Sequence, residues 1–385
     1  MAAAADTSVC VFSSTQTGAP SLSNVAGNLI EVLDACLANG WGLVTCDSVV
    51  IAGGVGTATI NAGHAAIPYG VVQFAGATGT LSAVNGRRKV KSVTTTTVVF
   101  DAADLADGTV TGTIAMKIAP AGWTKAFSGT NLAAYKSANV QASGALLRVD
   151  DTTTTYAAVR GYEAMTSIDV GSGMFPLVSQ VASSVWPKSD ASTARTWWII
   201  ANDRFIYLWV CPLASVPTLA VIVGAGDAVS RKRMDAYRFC LFSLTSTSAI
   251  APASAYQYQP IASAAGSFAV ACAARSYSGI GAPSILGKTW LDAGGGYSGY
   301  GAKLFPNPSD NGVLLTDPLL TEGAAYRGGL PGVFSSPQMI GSGIYDGQII
   351  NGLVGYLGDL IYKTWGYDAS ARGGLFFDPV GPWSV

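Results

Sequence analysis

Between residues 44 and 118 the sequence is a succession of short β-branched runs, each stopped by Gly, Asn or Asp. The runs are DSVVIAGGVGTATINAG, YGVVQFAG, RRKVKSVTTTTVVFDA and GTVTGTIAMKIAP. β-Branched side chains fit a pleated, half-buried surface, and Gly, Asn and Asp supply the backbone conformations of tight turns. Nothing with a helical period interrupts the segment. It can therefore fold only as short antiparallel strands, and it predicts a small β-barrel-like module over 44–118. Asn85-Gly86, in VNGRR, predicts a hairpin-type turn inside it.

The flanking regions follow the same grammar with one exception. Residues 1–20 are rich in Ser, Thr, Gly and Pro and read as an extended arm or a first strand. SLSNVAGNLIEVLDACLANGWG carries the one clear helical pattern: Leu29, Ile30, Leu33, Cys36 and Leu37 share a face. Ser23 or Asn24 is the expected N-cap, and Asn39-Gly40 the expected stop. GALLRVDD, YAAVRGYEAM and DAYRFCLFSL predict strands, and WWIIANDRFIYLWV predicts a hairpin turning at Asn202-Asp203. VSQVASSVW, 178–186, reads as a short helix. After residue 250 a Gly/Pro/Asn/Ser loop region, DAGGGYSGYGAKLFPNPSDNG, precedes strand-like returns at GQIINGLVGYLGDLIYKTW and GGLFFDPVGPWSV. The expected fold is mainly β: an N-terminal arm and helix (1–43), the barrel-like module (44–118) and a larger β-sandwich-like domain with long ordered loops (119–385).

Composition narrows the function. Charged residues make up 12% of the chain, about half the usual share, beside 49% hydrophobic residues and 46 glycines. A β-rich chain with so few charges is expected to cover much of its surface, by a large core or by neighbouring subunits. A formal net charge of −1 gives no electrostatic reason for nucleic acid to be the main partner. The start of the chain lacks a basic region followed by an apolar run, so no secretory signal is read, and no 18-residue apolar stretch predicts a membrane span. Cys10, Cys36, Cys46, Cys211, Cys240 and Cys272 are scattered without a CxxC and read as reduced core thiols, with disulfides as the alternative.

The candidate reactive groups are few. His64, in GHAAIPYGVV, is the one histidine of the chain, set among turn residues without an orienting partner, and reads as a hydrogen-bonded turn residue between two strands. APSILGKT, 282–289, matches a relaxed phosphate loop, but WLDAGGGYSGYG follows where a helix is needed. GGGYSG, 294–299, fits GxGxxG and reads as a plain glycine loop. Asp150-Asp151 would point to opposite faces of a strand and cannot form a glycosidase pair there; DDTTTT reads as a turn with exposed carboxylates. NPSDNG, 307–312, has oxygen ligands without calcium-loop spacing. SRKRMDAYR, 230–238, is the densest basic cluster and reads as a salt-bridged subunit or domain contact. The 9 Trp, 16 Tyr and 13 Phe residues read as β-core and interface, with a sugar-binding groove as the alternative. No catalytic residue, cofactor-binding residue or metal ligand is expected.

SSTQTGAPSLSNVAGNLIEVLDACLANGWG resembles the start of a family of tailed-bacteriophage virion structural proteins. The following stretch, from CDSVVIAGG to GTVTGTI, is similar to a small β module of phage tail and baseplate proteins. That module in turn looks like the first catalytic-cysteine half-domain of ubiquitin-activating enzymes. His64, Val72 to Gly76, Asn85-Gly86, Val90 and Phe100 sit at its matching places, and AAIPYG departs from the polar turn expected after the histidine. PAGWTKAFSGTNLAAYKS, LRVDD, VRGYEAM, WWIIANDRFIYLWV, VGAGDAVSRKRMDAYRF, YRGGLPGVFSSP and GGLFFDPVGPW look like later blocks of the same family. The resemblance implies a non-enzymatic virion component of the tail tip or baseplate. It would assemble as a ring or trimer of itself with other phage proteins, without membrane insertion. A carbohydrate-binding receptor-recognition role in the tail is the alternative.

Overall fold

The computed structural model describes residues 3–215, 220–230, 235–245, 261, 271–275, 287–290, 306, 309–322, 325–336, 344–353, 356–366 and 372–383. The chain is mainly β, with one short helical segment near the N-terminus. No described helix is long and apolar enough to cross a membrane.

Eight strands between Trp41 and Ile118 form one sheet. Trp41–Thr45 runs on into Ser48–Ala52, and Gly108–Thr109 runs on into Thr111–Ile118. Both continuous pieces pair with each other at either end, through Thr45↔Ala115 and Val50↔Thr109. The Val110 N–H donates to Val49 O (2.9 Å) at the corner between them. The sheet thereby closes on itself as a barrel, which leaves few unpaired backbone groups to attract other strands. Inward side chains alternate with outward ones: Ser48–Ala52 buries only Val49 and Ile51. Phe74 and Phe100 fill the interior, their ring centroids 4.8 Å apart. At Gly76 the Val71–Thr78 strand bulges (φ 88°) so tightly that a Cβ would lie 2.1 Å from Thr113 O.

The Asn85-Gly86 expectation needs correction. Val71–Thr78 does pair with Gly86–Val93, but a 3₁₀ segment, Gly79–Val84, makes the connection. Gly86 is the first residue of the returning strand, and the Asn85 side chain clamps both Ala77 N (3.0 Å) and Ala77 O (2.9 Å). Asn85 thus stabilises a longer loop through its side chain.

A second sheet, of twelve strands, follows among the described residues. Its main path runs from Cys10–Ser13 through Trp197–Ala201, Phe205–Val210, Val221–Asp227, Phe239–Leu244, Val185–Pro187, Tyr156–Met165, Leu146–Asp150 and Leu132–Ser137 to Trp123–Gly129. The N-terminal arm is thus a strand, paired antiparallel with Trp197–Ala201. The predicted hairpin is present. Asn202 turns it, its Oδ1 accepting from Arg204 N (2.8 Å) and Phe205 N (2.7 Å). The short helix expected over 178–186 is absent; a turn leads into the strand Val185–Pro187, whose three residues are all buried.

One face of this sheet packs on the helical segment and shares a continuous core with the barrel. The opposite face is covered by two four-stranded sheets built largely from the C-terminal third, through Leu320, Leu330, Val333, Ile361, Leu375, Phe377 and Trp383. Phe205–Val210, Val221–Asp227 and Phe239–Leu244 are consequently buried on both faces. This sandwiching explains why their sequences are continuous apolar runs rather than alternating ones.

The helical segment is an α-helix, Asn28–Leu33, that widens into a π-helix, Asp34–Asn39. It starts after the predicted Ser23 or Asn24, behind Gly27, and no adjacent side chain caps it. Its first N–H groups are capped from 122 residues away: Asp151 Oδ2 accepts from Leu29 N (2.8 Å) and Ile30 N (3.3 Å). At the other end, the N–H groups of Ala121 and Gly122 satisfy the carbonyls of Cys36 (2.8 Å) and Leu37 (3.1 Å). Both caps are tertiary, so the segment is helical because the surrounding sheet makes it so.

Candidate functional site

The sequence candidates disperse. His64 lies between the strands Val55–Thr59 and Val71–Thr78. Its Nδ1 accepts from Ala66 N (3.2 Å), which leaves the proton on Nε2 to be donated to Thr97 O (3.1 Å). Both ring nitrogens are spent on backbone, as a turn residue requires. The polar contact of this turn comes instead from Tyr69, whose hydroxyl donates to Asp359 Oδ2 (2.7 Å) and ties the barrel to the C-terminal region. Burial, and then the Asp359 carboxylate, hold the Tyr69 hydroxyl protonated well above its ordinary range.

Asp150 and Asp151 do point apart, but the exposed-turn reading fails for Asp151. Asp150 accepts from Thr152 Oγ1 (2.7 Å) and lies 3.6 Å from Arg148. Asp151 is completely buried, between the helical N–H groups and Lys188, whose Nζ is 2.5 Å from Oδ1. Burial pushes its carboxyl above the usual carboxylate range, against the opposing pull of Lys188. The sequence signal was weak, since Lys188 stands alone among polar neighbours and its partner is 37 residues away.

The basic cluster is a set of internal ion pairs where it is described. Arg238 Nε bonds Asp227 Oδ2 (3.0 Å), and Arg327 lies 3.6 Å from the buried Asp235. Residues 231–234 lie outside the described residues. So do 282–286 of APSILGKT and all of GGGYSG; Gly287–Trp290 is a strand, where a phosphate loop needs a helix. Of NPSDNG, 307–308 lie outside, and Asp310 uses Oδ1 on Gly312 N (2.9 Å). Among the described residues no group of three or more His, Cys, Asp or Glu is placed to hold a metal. Cys10, Cys36, Cys46 and Cys211 are free thiols, and all four, like Cys240, are buried. Burial pushes the Cys46 thiol up to about 11 and that of Cys211 up to about 12.

Most large aromatic rings are core: Trp186, Trp197, Tyr135, Tyr207, Phe12 and Phe242 among them are fully buried. Among the described residues, several rings line a cleft of about 310 Å³ where the two C-terminal sheets meet. Tyr326, Phe334, Pro331, Pro382 and Trp383 line it, with Asp317 and Asp378. Its floor is anchored to the large sheet. Trp383 packs edge-on against Tyr207 (5.6 Å), and the Tyr207 hydroxyl donates to Pro331 O (2.7 Å). Gly332 (φ 61°) lets the chain pass over the indole, where a Cβ would lie 2.1 Å from Trp383 Nε1. Asp378 is fixed by the N–H groups of Val380 (2.8 Å) and Gly381 (3.1 Å). The cleft is at the small end of ligand sites, is walled by rings and prolines, and carries two carboxylates and, among the described residues, no basic side chain. Such a lining repels anions and suits a neutral ligand that offers apolar ring faces and hydroxyl donors. Its residues are scattered over 229–383 without a motif, so only folding brings them together. No family model, curated protein or solved structure matches the chain.

Proposed function

We propose that this protein is a structural component of a bacteriophage virion, in the tail tip or baseplate, that assembles with copies of itself and with other virion proteins. The observation that carries this reading is a charge-poor surface that leaves large apolar side chains in solvent. Val140 and Leu357 are fully exposed, and Leu43, Val170, Val178 and Tyr345 are more than half exposed. Exposed apolar side chains of this kind are available for burial against neighbouring subunits. The resemblance of the N-terminal and later blocks to virion proteins supplies the particle. In this role the barrel and the large sheet act as rigid bodies, and function is the burial of their surfaces against neighbours. Light scattering of the purified chain tests it: a defined ring or trimer is expected, and a stable monomer at high concentration overturns the reading.

A second reading, receptor recognition through carbohydrate, is favoured by the aromatic cleft. Glycan-array binding lost in Tyr326→Ala and Asp317→Ala, with the fold intact, would support it. Unchanged binding in both variants would remove the cleft from consideration.

A further inference from the structure

We infer that Lys188 and Asp151 are the two ends of an intramolecular isopeptide bond, formed by condensation of the Lys188 ammonium with the Asp151 carboxylate. The pair has the ingredients such a reaction needs. The nucleophile and the carboxyl are in contact, Nζ to Oδ1 2.5 Å, and both side chains are wholly excluded from solvent. Nζ is aimed by two backbone carbonyls, Val25 O (2.6 Å) and Thr153 O (2.9 Å). The second carboxyl oxygen, Oδ2, accepts two backbone N–H groups, from Leu29 and Ile30. Those donors are already in place where negative charge develops when an amine attacks the carboxyl carbon.

The step balances without a co-reactant. One proton passes from Nζ to Oδ1 along their hydrogen bond, giving amine and carboxylic acid. The Nζ lone pair attacks the carboxyl carbon, and charge moves onto Oδ2 between the two N–H groups. A second proton passes from nitrogen to Oδ1, the carbon–oxygen bond breaks, and Oδ1 leaves as water. Oδ2 remains as the amide carbonyl, held by the same two donors. Burial raises the proton affinity of the Asp151 carboxylate, and replacing both buried charges by a neutral amide relieves their desolvation. Holding the groups in contact supplies an effective concentration unreachable between free reactants.

The bond would join the end of Leu146–Asp150 to the residue after Val185–Pro187, across the strand Tyr156–Met165 that pairs with both. It would also fix the cap at the N-terminal end of the Asn28–Leu33 helix. The inference rests on this geometry and not on the proposed role in a particle.

Mass spectrometry of the folded, full-length protein tests it. The wild type is expected to be lighter than its sequence by one water, and proteolysis to yield one fragment containing both Asp151 and Lys188. Lys188→Arg is expected at full sequence mass, and Asp151→Asn to lose ammonia instead of water. Because the wild type itself is read, a variant that fails to fold does not remove the test. Full sequence mass in the folded wild type overturns the inference, as does a lost water with the two peptides unlinked.

Discussion

The barrel and the large sheet solve the same problem, covering short strands, in opposite ways. The barrel closes on itself and leaves part of its outer side in solvent, so Ser48–Ala52 and Val55–Thr59 alternate between buried and less buried residues. The large sheet stays open and is covered on both faces, so its central strands are buried at every residue. In the first region stability is local and one face tolerates change. In the second, each side chain is held by a separate layer, and no position is spare.

The largest test of this contrast is truncation. Phe205→Ala empties a site between Tyr207 (4.6 Å) and Phe242 (6.4 Å), and should cost about 3–5 kcal/mol in chemical denaturation. Val50→Thr, on the outer side of the barrel, should change stability by less than about 0.5 kcal/mol. Equal losses would break the comparison. Next is Gly76→Ala, which asks whether the barrel has a point as intolerant as the sheet. A Cβ there meets Thr113 O in a left-handed backbone, so a loss of more than about 1 kcal/mol is expected in the same assay. Tyr207→Phe then isolates one tie between the sheet and its C-terminal cover. It removes the donor to Pro331 O and should cost about 1 kcal/mol.

A pH test probes the seam where barrel and termini meet. Lys89 is buried there, its Nζ donating to Val9 O (2.8 Å) and Pro379 O (2.5 Å). Burial lowers its pKa from the model-peptide 10.5 to about 8. The unfolded chain then binds more protons than the folded one between these values, so this group's contribution to stability rises with pH across that window. The difference in urea midpoint between wild type and Lys89→Met should therefore drift in favour of the wild type from pH 8 upward. A flat difference would show that the lysine is not desolvated. The smallest effect is His64→Gln, which keeps a donor toward Thr97 O. Its melting temperature and the oligomeric state should match the wild type.

What could be read from the sequence was whatever neighbours in the chain decide. The Asn202 turn, the His64 turn and the apolar face of Leu29, Ile30, Leu33, Cys36 and Leu37 all follow from spacing and local hydrogen bonding. The failures share the opposite cause. Ser23 and Asn24 are good caps by composition, yet the cap is Asp151, brought in by the sheet. Asn85-Gly86 has the composition of a two-residue turn, but the barrel's curvature draws a 3₁₀ segment into the connection. Residues 178–186 have no partner in their own sequence that would reveal Val185–Pro187 as a buried strand between Tyr156–Met165 and Phe239–Leu244. The cleft was invisible for the same reason, since Tyr326, Phe334 and Trp383 belong to separate elements.

The layering of the large sheet also sets an order of events during synthesis. The barrel needs only residues up to Ile118, and all its pairings are within that stretch. The first strand, Cys10–Ser13, must wait for Trp197–Ala201 before it has a partner. The apolar face of Phe205–Val210 and Val221–Asp227 stays wet until Leu375 and Phe377 emerge. A ribosome-bound chain therefore carries a finished barrel beside an exposed apolar sheet from the emergence of Asp227 until that of Leu375, and that interval is when it is most open to association with other chains.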